Sequence, residues 1–164
     1  MSRPPYPPPT PEELAAVSRQ LGRPARGVLG IAARSAAGEP LVVATAPRLP
    51  DGTPFPTFYY LTHPGLTAAA SRLEAAGAMA ELAGRLAEDE GLRARYGRAH
   101  AQYLEDREGY AVVPEIAGVS AGGMPERVKC LHALVAHALA AGRGVNPIGD
   151  LALERIAEAG ELIG

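Results

Sequence analysis

Apolar residues recur along this chain at two different periods, and the change between them divides it. Thr10 precedes Pro11, Glu12 and Glu13, the order of a capping box with proline at the first helical position. Leu14, Val17 and Leu21 then follow at helical spacing until Gly22, which predicts a helix over 11–21. GVLGIAAR (27–34) and LVVAT (41–45) are short apolar runs separated by a turn ending in Gly38-Glu39-Pro40, and they predict a β-hairpin. Pro47, Pro50, Pro54 and Pro56 stiffen the next connection. The aromatic content of TFYYLT (57–62) predicts a third strand.

From His63-Pro64 onward the period is helical. Leu66, Ala69, Ala70, Leu73 and Ala76 form a stripe ending at Gly77, and further helices are expected over about 79–88 and 92–108. Residues 109–124 read as a long loop. Over 125–140, Val128, Leu131, Leu134, Val135, Ala138 and Leu139 cover most of a helix circumference, as a buried central helix requires. A last helix is expected over about 149–159. The expected fold class is α+β: a small antiparallel sheet of about three strands against about six helices, the one near 125–140 at the centre. Residues 1–9 are proline-dense and read as a disordered, extended tail, leaving 10–164 as a single globular domain.

Composition adjusts this outline. Hydrophobic residues are 47% and charged residues 21%, the balance of a chain that folds. Aromatics are only 5% and Trp is missing, so Ala, Leu and Val must build a modest core. A net charge of −2 argues against a general nucleic-acid binder, which needs a basic excess. Cys130 is the single cysteine, so no intramolecular disulfide can form and a reducing compartment is expected. MSRPPYPPPT has no apolar stretch of the kind a secretory signal carries, and no apolar run approaches the roughly 20 residues of a membrane span. The expected location is cytoplasmic.

GRPARGVLGIAAR, PFPTFYYLTHP, GGMPERVKCLHALVAHALAAG and VNPIGD together resemble an uncharacterised bacterial family, the domain of unknown function numbered five hundred and one, across about 19–150. The resemblance brings no activity with it. It does imply a chemical pattern: many relatives place Cys at the positions of Ser35 and His63 and keep the Cys-x-His of Cys130 and His132. Such a set would look like a metal site. Here Ser35 is a poor ligand and His63 a competent one, which favours a zinc-like ion over a softer metal or a cluster.

The metal candidates are therefore His63, Cys130, His132 and His137. Inside one helix, Cys130 and His132 point about 200° apart and cannot share an ion unless Cys130 lies in a distorted first turn. Cys130 and His137 share a face but stand about 10.5 Å apart along the axis, so another segment would have to complete a site. The other reading of Cys130 is a small buried hydrophobe.

A second candidate site binds anions. Gly122 and Gly123 lead toward the expected helix start at Pro125, and Arg127 and Lys129 follow; free N–H groups and a guanidinium there would suit a phosphate or carboxylate. Arg23, Arg26 and Arg143 could join if the fold gathers them. Tyr96, His100, Tyr103 and Arg107 form one continuous helical face, read as packing against a neighbouring helix or as a proton-transfer group in a cleft. No nucleophile with its base stands out. The foremost functional expectation is thus a non-catalytic binding or adaptor domain for an unknown protein partner or a small anionic ligand. The alternatives are a zinc-like metal protein using His63 and the Cys130 helix, and a small-molecule enzyme or sensor with an anion pocket at 120–129.

Overall fold

The computed structural model describes residues 3–160. Helix α1 (Pro11–Leu21) starts as the sequence dictates: the Thr10 side chain accepts from the Glu13 N–H, and the Glu13 carboxylate accepts from the Thr10 N–H at 3.0 Å. It ends at Gly22, whose φ of 71° suits a residue without Cβ. Strands β1 (Val28–Arg34), β2 (Pro40–Thr45) and β3 (Tyr59–Leu61) form one antiparallel sheet in the order β1-β2-β3. Helices α2 (Pro64–Ala75), α3 (Ala78–Glu88), α4 (Glu90–Glu108), α5 (Leu131–Ala141) and α6 (Pro147–Glu158) follow, with a 3-10 turn at Pro114–Ile116.

The pleat sends alternate residues of β2 to opposite faces. Val42 and Ala44 join the main core with Tyr59 and Leu61, against Leu131, Leu134 and Val135 of α5. Val43 faces the other way, onto Ile31 and Val17 of α1. Helix α5 is buried over nearly its whole length and lies between the sheet and helices α2 and α6. Close approach to α6 depends on Gly149, where an added Cβ would stand 2.2 Å from the Leu134 carbonyl oxygen. Among the described residues no helix is long and apolar enough to cross a membrane.

Two expectations need correction. The proline-dense stretch read as a disordered tail is docked from residue 3 onward: Tyr6 is only 7% exposed, its N–H donates to the Tyr110 hydroxyl at 2.7 Å, and Arg3 pairs with Asp106 at 2.6 Å. One aromatic anchor and one ion pair offset the ordering cost that composition alone suggests is unmet. The helix expected from Pro125 begins six residues later. Over 125–130 the backbone turns back instead, Arg127 N–H donating to the Gly123 carbonyl and Lys129 N–H to the Gly122 carbonyl. Only Val128 is buried in that stretch, so a helix there would have had no apolar stripe to pack.

The face of α4 carrying Tyr96, His100, Tyr103 and Arg107 ties down this irregular chain. The Tyr96 hydroxyl donates to the Arg127 carbonyl, His100 Nδ1 lies 2.7 Å from the Ser120 hydroxyl, and the Tyr103 hydroxyl accepts from the Tyr59 N–H. Arg107, 1% exposed, donates to the carbonyls of Pro56, Ile116 and Val119 at 2.7–2.9 Å. Burial pulls its pKa below the ordinary arginine value.

Replacing Arg107 with Met should cost about 3 kcal/mol or more, because three carbonyls lose a charged donor. Arg107→Lys should recover little of it, since one ammonium cannot span three diverging acceptors. Gly149→Ala should cost about 1–3 kcal/mol through overpacking. Urea unfolding of the three variants measures all of these.

Candidate functional site

The start of α5 meets the sheet across a cleft of about 470 Å³, walled by Gln20 and Leu21 of α1, Tyr59, Tyr60 and Leu61 of β3, Thr62, Thr67, Gly122, and Cys130, His132 and Ala133. Cys130 is the residue that caps α5, with extended backbone (φ −148°, ψ 107°). Being outside the helix frees its side chain from the 200° separation that would divide it from His132 inside a helix. The two converge, and Glu74 of α2 joins them: one donor atom from each of Glu74, Cys130 and His132 lies within 4.8 Å of the other two.

Helix α2 builds its share of this cluster from one edge. Leu66, Ala69 and Ala70 face the core, while Thr67, Ser71 and Glu74, at i, i+4 and i+7, all reach His132. His132 Nε2 lies 3.2 Å from the Thr67 carbonyl oxygen and 3.2 Å from the Ser71 hydroxyl; Nδ1 lies 3.2 Å from Glu74 Oε2. A carbonyl can only accept, so Nε2 carries a hydrogen. A carboxylate can only accept as well, so a proton or a metal ion must lie between Nδ1 and Glu74. The same Glu74 oxygen accepts from the Leu131 N–H at 2.9 Å, placing the carboxylate at the positive end of α5.

The other expected ligands stand apart from this group. His63 is the N-cap of α2, its Nδ1 accepting from the Gly65 N–H at 3.1 Å and its Nε2 3.9 Å from Glu39. Ser35 also borders Glu39, its hydroxyl accepting that residue's N–H at 3.2 Å. His137 is fully buried, stacked on Tyr59 with ring centres 5.6 Å apart and edge-on to Tyr103 at 5.0 Å. The Asn146 side-chain carbonyl caps α6 by accepting from the Gly149 N–H, so its amide donates to His137 Nδ1 at 3.1 Å. That leaves the Nε2–H of His137 buried without a partner among the described residues. Burial pushes its pKa down to about 3, and the charge of Arg3 acts in the same direction.

The expected anion site is not assembled at Gly122 and Gly123. Those glycines adopt φ of 69° and 96° so that the chain can press against Leu134 and double back on Arg127, where a Cβ would come within 2.6 Å. Arg127 and Lys129 are exposed, and the helix start lies beyond them at Leu131, where Glu74 already supplies the negative charge. Arg143 pairs with Glu154 elsewhere.

Among families of known sequence, the model of one described as a protein of unknown function, DUF501, matches residues 31–154. No curated protein and no solved structure matches the chain.

His137 sets a pH dependence. Its folded pKa lies well below the ordinary value of about 6.5, so the unfolded chain binds the extra proton first as pH falls. The stability it contributes is complete above pH ~6.5 and is lost on descending toward pH ~3, at up to about 1.4 kcal/mol per pH unit. Chemical unfolding at steps from pH 7 to pH 4 should show this slope, and His137→Phe should flatten it.

Proposed function

The chain belongs to the DUF501 family, and on that footing we propose that it is a metal-binding protein presenting a zinc-type ion to a small uncharged ligand. The ion is held by the Glu74 carboxylate, the Cys130 thiolate and His132 Nδ1. The observation that carries this reading is the mutual approach of these three donors within 4.8 Å. A mixed oxygen, sulfur and nitrogen set suits zinc, and three protein ligands leave a fourth position open. Cys130 and His132 line the cleft, so that position faces it.

The surroundings support the same reading. Metal-bound histidines usually donate their remaining N–H to a backbone carbonyl or carboxylate, and the Nε2–H···O=C contact to Thr67 is of that kind. An ion replaces the proton between Nδ1 and Glu74 without disturbing that contact. Among the residues lining the cleft there is no lysine or arginine, and the partly exposed Leu21 and Tyr60 offer apolar surface beside Thr57 and Thr67. A small neutral molecule with an apolar body matches that lining better than the anionic ligand expected from sequence.

Elemental analysis of untagged protein prepared without chelators should find about one zinc-type ion per chain. In competition with a chromophoric chelator, Cys130→Ser and Glu74→Gln should each weaken zinc binding by at least about 10–100-fold, while His63→Ala leaves it unchanged. Binding should weaken as pH falls, because thiol and imidazole must lose protons to ligate. Protein that takes up no zinc, or a Cys130→Ser variant with undiminished affinity, would overturn the reading.

A further inference from the structure

The opposite side of Tyr60 and Leu21 carries a second, smaller pocket. It opens on the sheet face away from α5, between the end of α1 and the proline-rich connection 47–56. Val28, Val43, Leu49, Phe55 and Tyr60 line it together with the exposed Arg23 and Arg26. Val17 of α1 covers Val43 and Ile31, the helix ends at Leu21, and the partly exposed Leu21, Ala25, Val28 and Tyr60 pack around that cluster. The Phe55 and Tyr60 rings lie 6.1 Å apart at a tilt, so one wall is aromatic.

Charge distinguishes this pocket from the cleft. Arg3, Arg34, Arg48, Arg143 and Arg155 each hold a carboxylate, whereas the guanidinium groups of Arg23 and Arg26 have no hydrogen bond or ion pair among the described residues. The Thr53 N–H holds the exposed Asp51 carboxylate's pKa below its ordinary value, and the charge of Arg26 acts in the same direction. Two guanidinium groups with no hydrogen bond of their own beside an apolar hollow form a site for one negative charge attached to a hydrocarbon body. The hollow has a volume of about 80 Å³, room for a group the size of one leucine side chain.

We propose that this pocket binds a small apolar monocarboxylate, its carboxylate held by Arg23 and Arg26 and its branched or aromatic body seated on Val28, Val43, Phe55 and Tyr60. The site is independent of the metal centre: no residue of the Glu74, Cys130 and His132 group lines it. An uncharged analogue loses the arginine contacts and keeps the apolar ones. A polypeptide ending in an apolar residue offers the same carboxylate and side chain, with the rest of its length outside the 80 Å³ hollow and without a partner in it.

Titration calorimetry on the whole chain, with and without chelator, tests this using 4-methylpentanoate, 4-methylpentanamide and a tripeptide ending in free leucine. The acid should bind equally in both preparations, the amide roughly ten-fold more weakly, and the peptide no more tightly than the acid. Arg23→Ala with Arg26→Ala should cost the acid at least about ten-fold while leaving the amide where it was. Exposed arginines of this kind are removed without loss of fold, and added salt should weaken the acid alone. Equal binding of acid and amide, no heat from the acid into the millimolar range, or an undiminished double variant would each overturn the proposal. Tighter binding of the peptide would overturn it too, by making a chain terminus the ligand.

Discussion

A single face of α4 holds the irregular half of this protein in place. Its Tyr96, His100, Tyr103 and Arg107 spend their hydrogen bonds on Arg127, Ser120, Tyr59 and the carbonyls of Pro56, Ile116 and Val119. All six acceptors or donors lie in or beside segments with no regular partner of their own. Buried backbone groups need partners, and loops lack the ladder that supplies them in sheets and helices. Because these side chains stand on one rigid helix, the lead-in to β3 and the turn before α5 are fixed relative to each other. The cleft between them, and with it the approach of Cys130 to His132, follows from that fixation.

The charge arrangement at α5 obeys a related constraint. A helix start carries positive character and unpaired N–H groups, and here Glu74 takes the first of them. The carboxylate is also the group that draws His132 back over the helix end. An acidic residue on a neighbouring helix thus does the work expected of an external anion, and the glycines ahead of the helix serve packing rather than ligand approach.

Much of the fold was legible because the signals were local. The capping box at Thr10, the prolines at the starts of α1, α2 and α6, and the short apolar run of β2 each operate within a few residues. The start of α5 was misplaced because Val128 fits a helical stripe by spacing but is buried from a turn. At the site, Cys130 and His132 were named from sequence as able to share an ion only with Cys130 in a distorted first turn; Cys130 is instead the extended residue ahead of the helix. Glu74 was missed, since it reaches Leu131 across 57 positions. The available signal was Ser71 and Glu74 on the edge of α2 beside its apolar stripe. Arg107 was seen as part of a stripe, but nothing local shows that its partners are carbonyls rather than a helix.

The docked arm at 3–9 carries a consequence for how the chain reaches its final state. Its anchors, Arg3 on Asp106 and Tyr6 on Tyr110, join positions 103 and 104 residues apart. Arg3 has nothing to grip until α4 exists, while Tyr6 also meets the Tyr59 hydroxyl at 3.3 Å and packs on Gly30 of β1, so docking of the whole arm waits on both sheet and helix. Proline restricts the free chain, and a segment already stiff before docking gives up less freedom when it docks. The composition that resembles disorder is therefore a form of preorganisation: a rod held in waiting for the helix that receives it.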